Sequence, residues 1–282
     1  MPIENISDTA RWVAVYRAME TERPDAIFRD PFARRLAGAK GEEIVRSLRR
    51  GAQMSWAMIV RTAVLDEMIM ERVRGGADLV VNLAAGLDAR PWRLDLPSSL
   101  HWVDVDLPDI LRYKTETLHD AAPGCRYEAI ATDLTDAAAR TALLRRLGAE
   151  GGTALVITEG LLIYLTGAQV GALARDLHAV PTFRWWCTDL ASPRLLRLMQ
   201  RGWGHSLSVA NAPFRFAPEE GTAFFRPFGW REVEFRSSLE EARRLRREMR
   251  GMWLIRLVHR FSSAKRREQG RRMSGVVLLE RD

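Results

Sequence analysis

Through the middle of the chain, short apolar runs alternate with segments whose apolar residues recur at helical spacing. "ADLVVNLAA", "LHWVDVD", "RYEAIATDL", the start of "TALVITEGLLIYL" and "TFRWWCTDLAS" read as five strands. "DARPWRL", "LPDILRYKTETL", "DAAARTALLRRLG" and "TGAQVGALARDLHAV" read as the helices between them. Such alternation builds a parallel sheet covered on both faces. The ending differs. Residues 193–217 read as an irregular insertion, and "PEEGTAFFRPFGW" as a helix ending at its glycine. "REVEF" and "SGVVLLE" then predict two late strands with a long connection, which suits an antiparallel edge on the parallel sheet.

Upstream of the first strand the pattern is helical. Ser7 or Asp8 caps a first helix carrying Trp12, Val13, Val15, Tyr16 and Met19. "ERPDAIFRDPFARRL" is turn-rich, since Pro24 and Pro31 break any long helix. A second helical region spans about residues 42–73, and Gly75-Gly76 ends it. The expected organisation is a helical cap over residues 1–75 on one α/β domain over 76–282. That domain holds a lid insertion at about 192–222 and a basic helical insertion at about 238–272.

Charge changes this picture in one place. The net +7 is concentrated from Ser238 onward, where 13 Lys or Arg face 6 Asp or Glu, so the first 237 residues are neutral overall. Leu245, Met249, Met252, Trp253 and Leu257 fall at helical intervals there, predicting an amphipathic helix with a basic outer face. A solvated face and a surface for an acidic partner both fit. The segment lacks the aromatic series that stacks on bases, so no nucleic-acid partner is expected. No apolar run reaches the roughly 18 residues of a membrane span, and "MPIENISDTARW" lacks the basic and apolar regions of a secretory signal. Cys125 and Cys187 lie far apart, as reduced thiols of a cytoplasmic protein do, and no metal motif is present.

Candidate chemistry sits at the strand ends, where ligands of open α/β sheets bind. The first strand is followed by Ala84, Ala85, Gly86 and Asp88, the second ends in Asp104 and Asp106, the third meets Asp133, and the fourth Glu159. A dinucleotide turn would carry three spaced glycines to cradle a pyrophosphate. Here one glycine is present and a carboxylate stands where the phosphate would sit. A nucleoside without phosphates fits better, with Asp106, twenty residues after Gly86, placed to hold a ribose diol.

On "SDTARWVAVYRAME", "IFRDPFARRL", "NLAAGLDARPWRL", "VDVDLPDILRYK", "ATDL" and "TEGLLIYL", the chain resembles the class I S-adenosylmethionine-dependent methyltransferases. More narrowly, it is similar to the leucine carboxyl methyltransferase-like group. The resemblance runs from about Asp8 to Ala191. It implies a Rossmann-like, mostly parallel seven-stranded sheet with an antiparallel C-terminal edge, and S-adenosylmethionine as cofactor, with S-adenosylhomocysteine as product. Position by position it implies that Ala84 and Gly86 lie under the cofactor and that Asp106 holds the ribose. Asp133 and Leu134 would border the adenine, Glu159 would receive the methionine ammonium, and Arg61 its carboxylate, with Arg11 as a second basic contact. Ala89 stands where the group commonly has Thr, removing a hydroxyl at the helix start.

The same resemblance points to an O-methyltransferase acting on a carboxylate of a small molecule or a peptide C-terminus. A carboxylate is already ionised at neutral pH and needs no strong base. A natural-product hydroxyl is the alternative acceptor, with His205 as its base unless that histidine is a surface one. A binding protein for an acidic polymer is a third reading, resting on the basic segment. Tyr164 would orient the acceptor oxygen or be a core tyrosine under the cap. Arg17 would attract an acidic acceptor or be solvated. Trp203, His205, Asn211 and Phe214 would form the acceptor pocket wall.

Overall fold

Five parallel strands, β1 (Leu79–Leu83), β2 (His101–Asp106), β3 (Arg126–Ala131), β4 (Ala154–Thr158) and β5 (Phe183–Ala191), form most of one sheet. β7 (Ser274–Arg281) pairs antiparallel with β5, and β6 (Trp230–Ser237) pairs antiparallel with β7 on the outer edge. The seven strands run in the order β3-β2-β1-β4-β5-β7-β6. The chain turns from one half of the sheet to the other between β1 and β4, which makes the crevice outside their carboxyl ends the place for a ligand. The structure is a computed structural model that describes residues 6–47, 51–209, 213–249, 251–252 and 263–282.

Every residue of β1 and β4 is buried, as predominantly apolar runs are in a sheet covered on both faces. The strand period of two divides their side chains between two cores. Val81, Val103 and Val156 pack with Leu144, Leu173 and Trp186 on one face. Val80, Trp102 and Leu155 pack with Val64, Leu65 and Met68 on the other. The first core is covered by α6 (Ala137–Gly148), capped by the Asp136 carboxylate, and α7 (Gly167–His178), opened by a Thr166–Gln169 capping box. The second is covered by α3 (Gly51–Arg74). α1 (Ile6–Thr21) and α2 (Ala33–Ser47) pack on one another, and α1 also touches α3.

Several elements depart from the sequence pattern. Asp8 lies inside the first turn of α1, where it is buried and paired with Lys40 of α2 at 3.0 Å, so it is no end cap. The side chain of Ser7 lies outside the described residues. The helical region expected over 42–73 is two helices, and α2 is kinked at Gly38, whose φ is 61°. "DARPWRL" gives a single turn, α4 (Arg90–Arg93), because Leu94 returns to extended backbone. The insertion expected to be irregular contains a long helix, α8 (Pro193–Val209). "PEEGTAFFRPFGW" forms a 3-10 helix over Gly221–Phe228, closed by Gly229 at φ 82°.

The basic segment is likewise not one helix. α9 (Ser238–Arg244) ends at Leu245, and Arg246 turns the chain with φ 55° before α10 (Ala264–Arg271) begins. Trp253 and Leu257 of the expected apolar stripe lie outside the described residues. Cys125 and Cys187 are buried and free, and burial pushes their thiols up to about 11 and about 12.

Candidate active site

A cavity of about 1060 Å³ opens at the carboxyl ends of β1, β2, β4 and β5, beneath α1 and α3. Its floor is the turn after β1. Ala84 and Gly86 both take left-handed backbone there, at φ 56° and 52°. Glycine accepts that conformation without strain, whereas an alanine held in it marks a backbone imposed by its surroundings. The Gly86 N–H donates to Asp106 Oδ2 at 2.6 Å, and the Leu107 N–H donates to Oδ1 at 2.7 Å. These bonds pin the Asp106 carboxylate to the turn. Burial nevertheless raises its pKa above the usual carboxylate range.

Beside the turn lies a buried network of charges. Arg90 is its centre, donating from Nε to Asp66 at 2.7 Å and from Nη1 to Asp88 at 2.6 Å and Glu159 at 2.8 Å. Arg61 donates to the other oxygen of Glu159 at 2.9 Å and to Asp189 at 3.3 Å. Asp189 also accepts the Gly160 N–H at 2.6 Å, and Arg93 makes a bidentate contact with Asp66. Burial alone would favour the neutral acids. Arg90, Lys114, Arg93 and Arg17 outweigh it at Asp88, holding that carboxyl far below its ordinary value. Arg90 and Arg61 likewise hold Glu159 down.

The cavity brings together Ala84, Gly86, Asp106, Glu159, Arg61, Tyr164, Phe214 and Arg17. Arg17 is buried rather than solvated, and its guanidinium is already engaged by Asp30 at 2.8 Å and the Leu87 carbonyl at 2.6 Å. It ties α1 to the turn after β1. Arg11 stands outside the cavity, stacked 3.8 Å over the Tyr113 ring and bonded to the Ala37 carbonyl. Asp133 and Leu134 also stand outside it. The Asp133 carboxylate accepts from the Thr135 N–H and hydroxyl, and Leu134 packs partly buried against the first core. Asp104 points away, into a buried cluster where it accepts from Trp102, Asn82, Tyr127 and Lys114. Asn211 and the side chains of Trp203 and His205 lie outside the described residues.

Tyr164 sits on a short 3-10 helix after β4, its ring 5.6 Å from that of Phe214. Burial raises its phenol pKa, against the lowering effect of a hydrogen bond with Thr9, so at neutral pH it is a donor. The missing hydroxyl at Ala89 is replaced by its neighbour, since Asp88 Oδ1 accepts the Arg90 N–H at 2.9 Å.

Sequence reasoning missed Arg90, Asp66 and Asp189. Asp189 was open to the same inference as Glu159, being an acid near the end of the next strand, "TFRWWCTDLAS". Arg90 gave no signal, because an arginine at a helix start reads as solvated and not as the centre of a buried network. Four arginines of the basic segment are paired with acids. Arg244 pairs with Glu67 and Glu241, Arg247 with Glu20 and Asp25, and Arg271 and Arg272 with Glu268. Among the described residues, no helix is long and apolar enough to cross a membrane.

The sequence model of the family described as leucine carboxyl methyltransferase matches residues 10–178. That stretch contains the cap, the cofactor turn, Asp106, Glu159 and Tyr164. The chain belongs to the leucine carboxyl methyltransferase family. A Mycolicibacterium smegmatis relative is 32% identical over 84% of this chain and 86% of its own length. One from Rhodococcus jostii is 38% identical over 61% of this chain, a match spanning 60% of that relative. Both carry the provisional name of S-adenosyl-L-methionine-dependent methyltransferase. The fold is also that of a solved DUF574 family protein from Streptomyces avermitilis, at TM-score 0.61 and 13% identity over 95% of this chain and 97% of that one.

The cofactor that goes with this membership is S-adenosylmethionine, and the residues fit it. Asp106, fixed to the Gly86 turn, offers a carboxylate for a ribose diol. Arg61 and Glu159, bonded to each other at 2.9 Å on the cavity wall, would be the groups to meet the amino-acid carboxylate and ammonium.

Proposed function

We propose that the protein is an S-adenosylmethionine-dependent O-methyltransferase that converts a carboxylate, on a small molecule or a peptide C-terminus, into its methyl ester. When bound, the cofactor supplies an electrophilic sulfonium methyl whose transfer leaves the neutral thioether S-adenosylhomocysteine. The chain's part is to bind and align, which can be worth up to roughly 7–11 kcal/mol in a bimolecular transfer. Arg61, Glu159 and Asp106 hold the cofactor, and α1 and α3 cover it.

Tyr164 carries the choice of acceptor. A phenol kept protonated by burial donates a hydrogen bond and takes no proton. A carboxylate can accept that bond on one oxygen and attack with the other, and it has no proton to lose at neutral pH. A hydroxyl acceptor has a single oxygen that must be deprotonated, which a protonated Tyr164 does not assist.

The test combines binding with product chemistry. Calorimetric titration with S-adenosylhomocysteine should give micromolar binding, weakened at least tenfold in Asp106→Ala and Arg61→Ala. Labelled methyl transferred from the cofactor to acceptor mixtures should be released as methanol by mild base, as esters are. Base-stable label would overturn the carboxylate reading. No binding by folded protein would overturn the methyltransferase reading itself.

A further inference from the structure

At about 1060 Å³, the cavity lies just above the roughly 300–1,000 Å³ range of drug-sized ligand pockets, leaving room for an acceptor beside a nucleoside. The two sides of that space differ in chemistry. Toward the strand ends, Arg17, Arg61, Arg90, Asp88, Glu159 and Asp189 are already matched with one another or with neighbours. Toward α8 the wall is mostly apolar, with Leu195, Leu198 and Met199, and the chain before β7 adds Met273 beside Arg266 and Gln269. At least five of the chain's ten methionines line the cavity, Met199, Met252 and Met273 among them. Methionine is flexible and polarisable, and it is favoured where a surface adapts to apolar ligands of varied shape.

Leu198 adds an independent observation. Among the described residues it is the most exposed large hydrophobic side chain, at 51%, and it lines this cavity. Leu195, one turn away on α8, lines the same wall, and Phe214 brings this wall to Tyr164. The lining therefore runs from the phenol donor onto hydrocarbon. The charged groups on this side, Arg194 and Arg266, are exposed.

We propose that the acceptor is an apolar monocarboxylic acid whose hydrocarbon body lies along Leu195, Leu198 and Met199, with its carboxylate at Tyr164. This rests on the carboxylate reading above. Small polar acids would leave the wall uncovered and gain nothing from it, whereas each methylene laid on it leaves water.

The test uses the whole protein loaded with S-adenosylhomocysteine. Straight-chain acids of roughly four to twelve carbons, and the matching primary alcohols, are titrated calorimetrically, with Kd expected to tighten about fourfold per methylene until the wall is covered. Leu198→Glu should weaken the longest acids at least tenfold while shortest-acid binding barely moves, and its S-adenosylhomocysteine titration verifies folding. Affinity independent of length, or equal binding of small polar acids, overturns the inference. Methyl transfer is read separately with labelled cofactor. Length-dependent binding with transfer to the alcohols alone retains the apolar wall and overturns the carboxylate reading. Length-dependent binding with transfer to the acids supports both.

Discussion

Arg90 Nη1 lies 2.8 Å from Glu159 Oε2 and 2.6 Å from Asp88 Oδ2, so one buried guanidinium joins the turn after β1 to the end of β4. Its Nε reaches Asp66 of α3, which extends the join to the helical cap. Removing it would leave Asp88 without its guanidinium partner, and Asp66 and Glu159 with Arg93 and Arg61 alone, in a buried site. Breaking a buried ion pair from one side costs about 3–5 kcal/mol. Arg90→Met should therefore lower the unfolding free energy by that amount in urea titrations. The exposed Arg35–Asp120 pair is a control, and Arg35→Met should cost less than about 1 kcal/mol.

The left-handed turn yields a paired prediction. A Cβ on Gly86 would take φ 52° and stand 3.2 Å from the Ala10 Cβ of α1. Gly86→Ala should cost about 1–2 kcal/mol of stability from backbone strain, and weaken S-adenosylhomocysteine by pushing the cap from the turn. Ala84 already occupies φ 56° with its Cβ in place. Ala84→Gly should relieve strain, leaving the thermal midpoint unchanged or raised. Opposite signs at two positions in one turn would tie the effect to backbone conformation.

Acid should loosen the same region. Asp88 and Glu159 titrate below their ordinary values because Arg90 and, for Glu159, Arg61 outweigh burial. A carboxyl depressed in the folded state contributes stability above its unfolded pKa, about 3.9 for Asp and 4.3 for Glu, and loses it as pH falls through the folded value. Asp106, raised by burial, has the opposite sign and softens the decline. The denaturation midpoint should hold down to about pH 5 and fall below about pH 4. Asp88→Asn should be less stable at neutral pH and show a shallower acid limb.

The sheet was legible because its signal is periodic and redundant. β1 and β4 are buried throughout and apolar except for Asn82 and Thr158, and the acids at the ends of β1, β2 and β4 converge on one cavity because parallel strands end on one side. Asp133 breaks that rule. It satisfies its own turn through Thr135, a local bond that a strand-end pattern cannot foresee. Arg11, Arg17 and Arg90 were illegible for a different reason. Each arginine's role is set by what tertiary packing brings to it: a tyrosine ring, a carbonyl beside an aspartate, or two acids from distant segments that join a neighbouring one. α8 was misread because its glycines and flanking prolines resemble a loop, while Leu195, Leu198 and Met199 carry a helical spacing.

The pH dependence of methyl transfer separates the acceptor classes without knowledge of the natural substrate. A carboxylic acid with an ordinary pKa near 4 is ionised from about pH 6 upward. Tyr164, its pKa raised by burial, stays a donor past the pH at which an ordinary tyrosine, near 10, begins to ionise. Neither the nucleophile nor its hydrogen-bond donor changes protonation between these limits. The single-turnover rate at saturating cofactor should therefore be flat from about pH 6 to about pH 9. Tyr164→Phe should lower that plateau about 10- to 100-fold, the scale of one aligned donor of roughly 1.5–3 kcal/mol to a charged acceptor, without tilting it. A rate that climbs with pH through neutrality would mean a proton is removed from the acceptor, and would exclude a carboxylate.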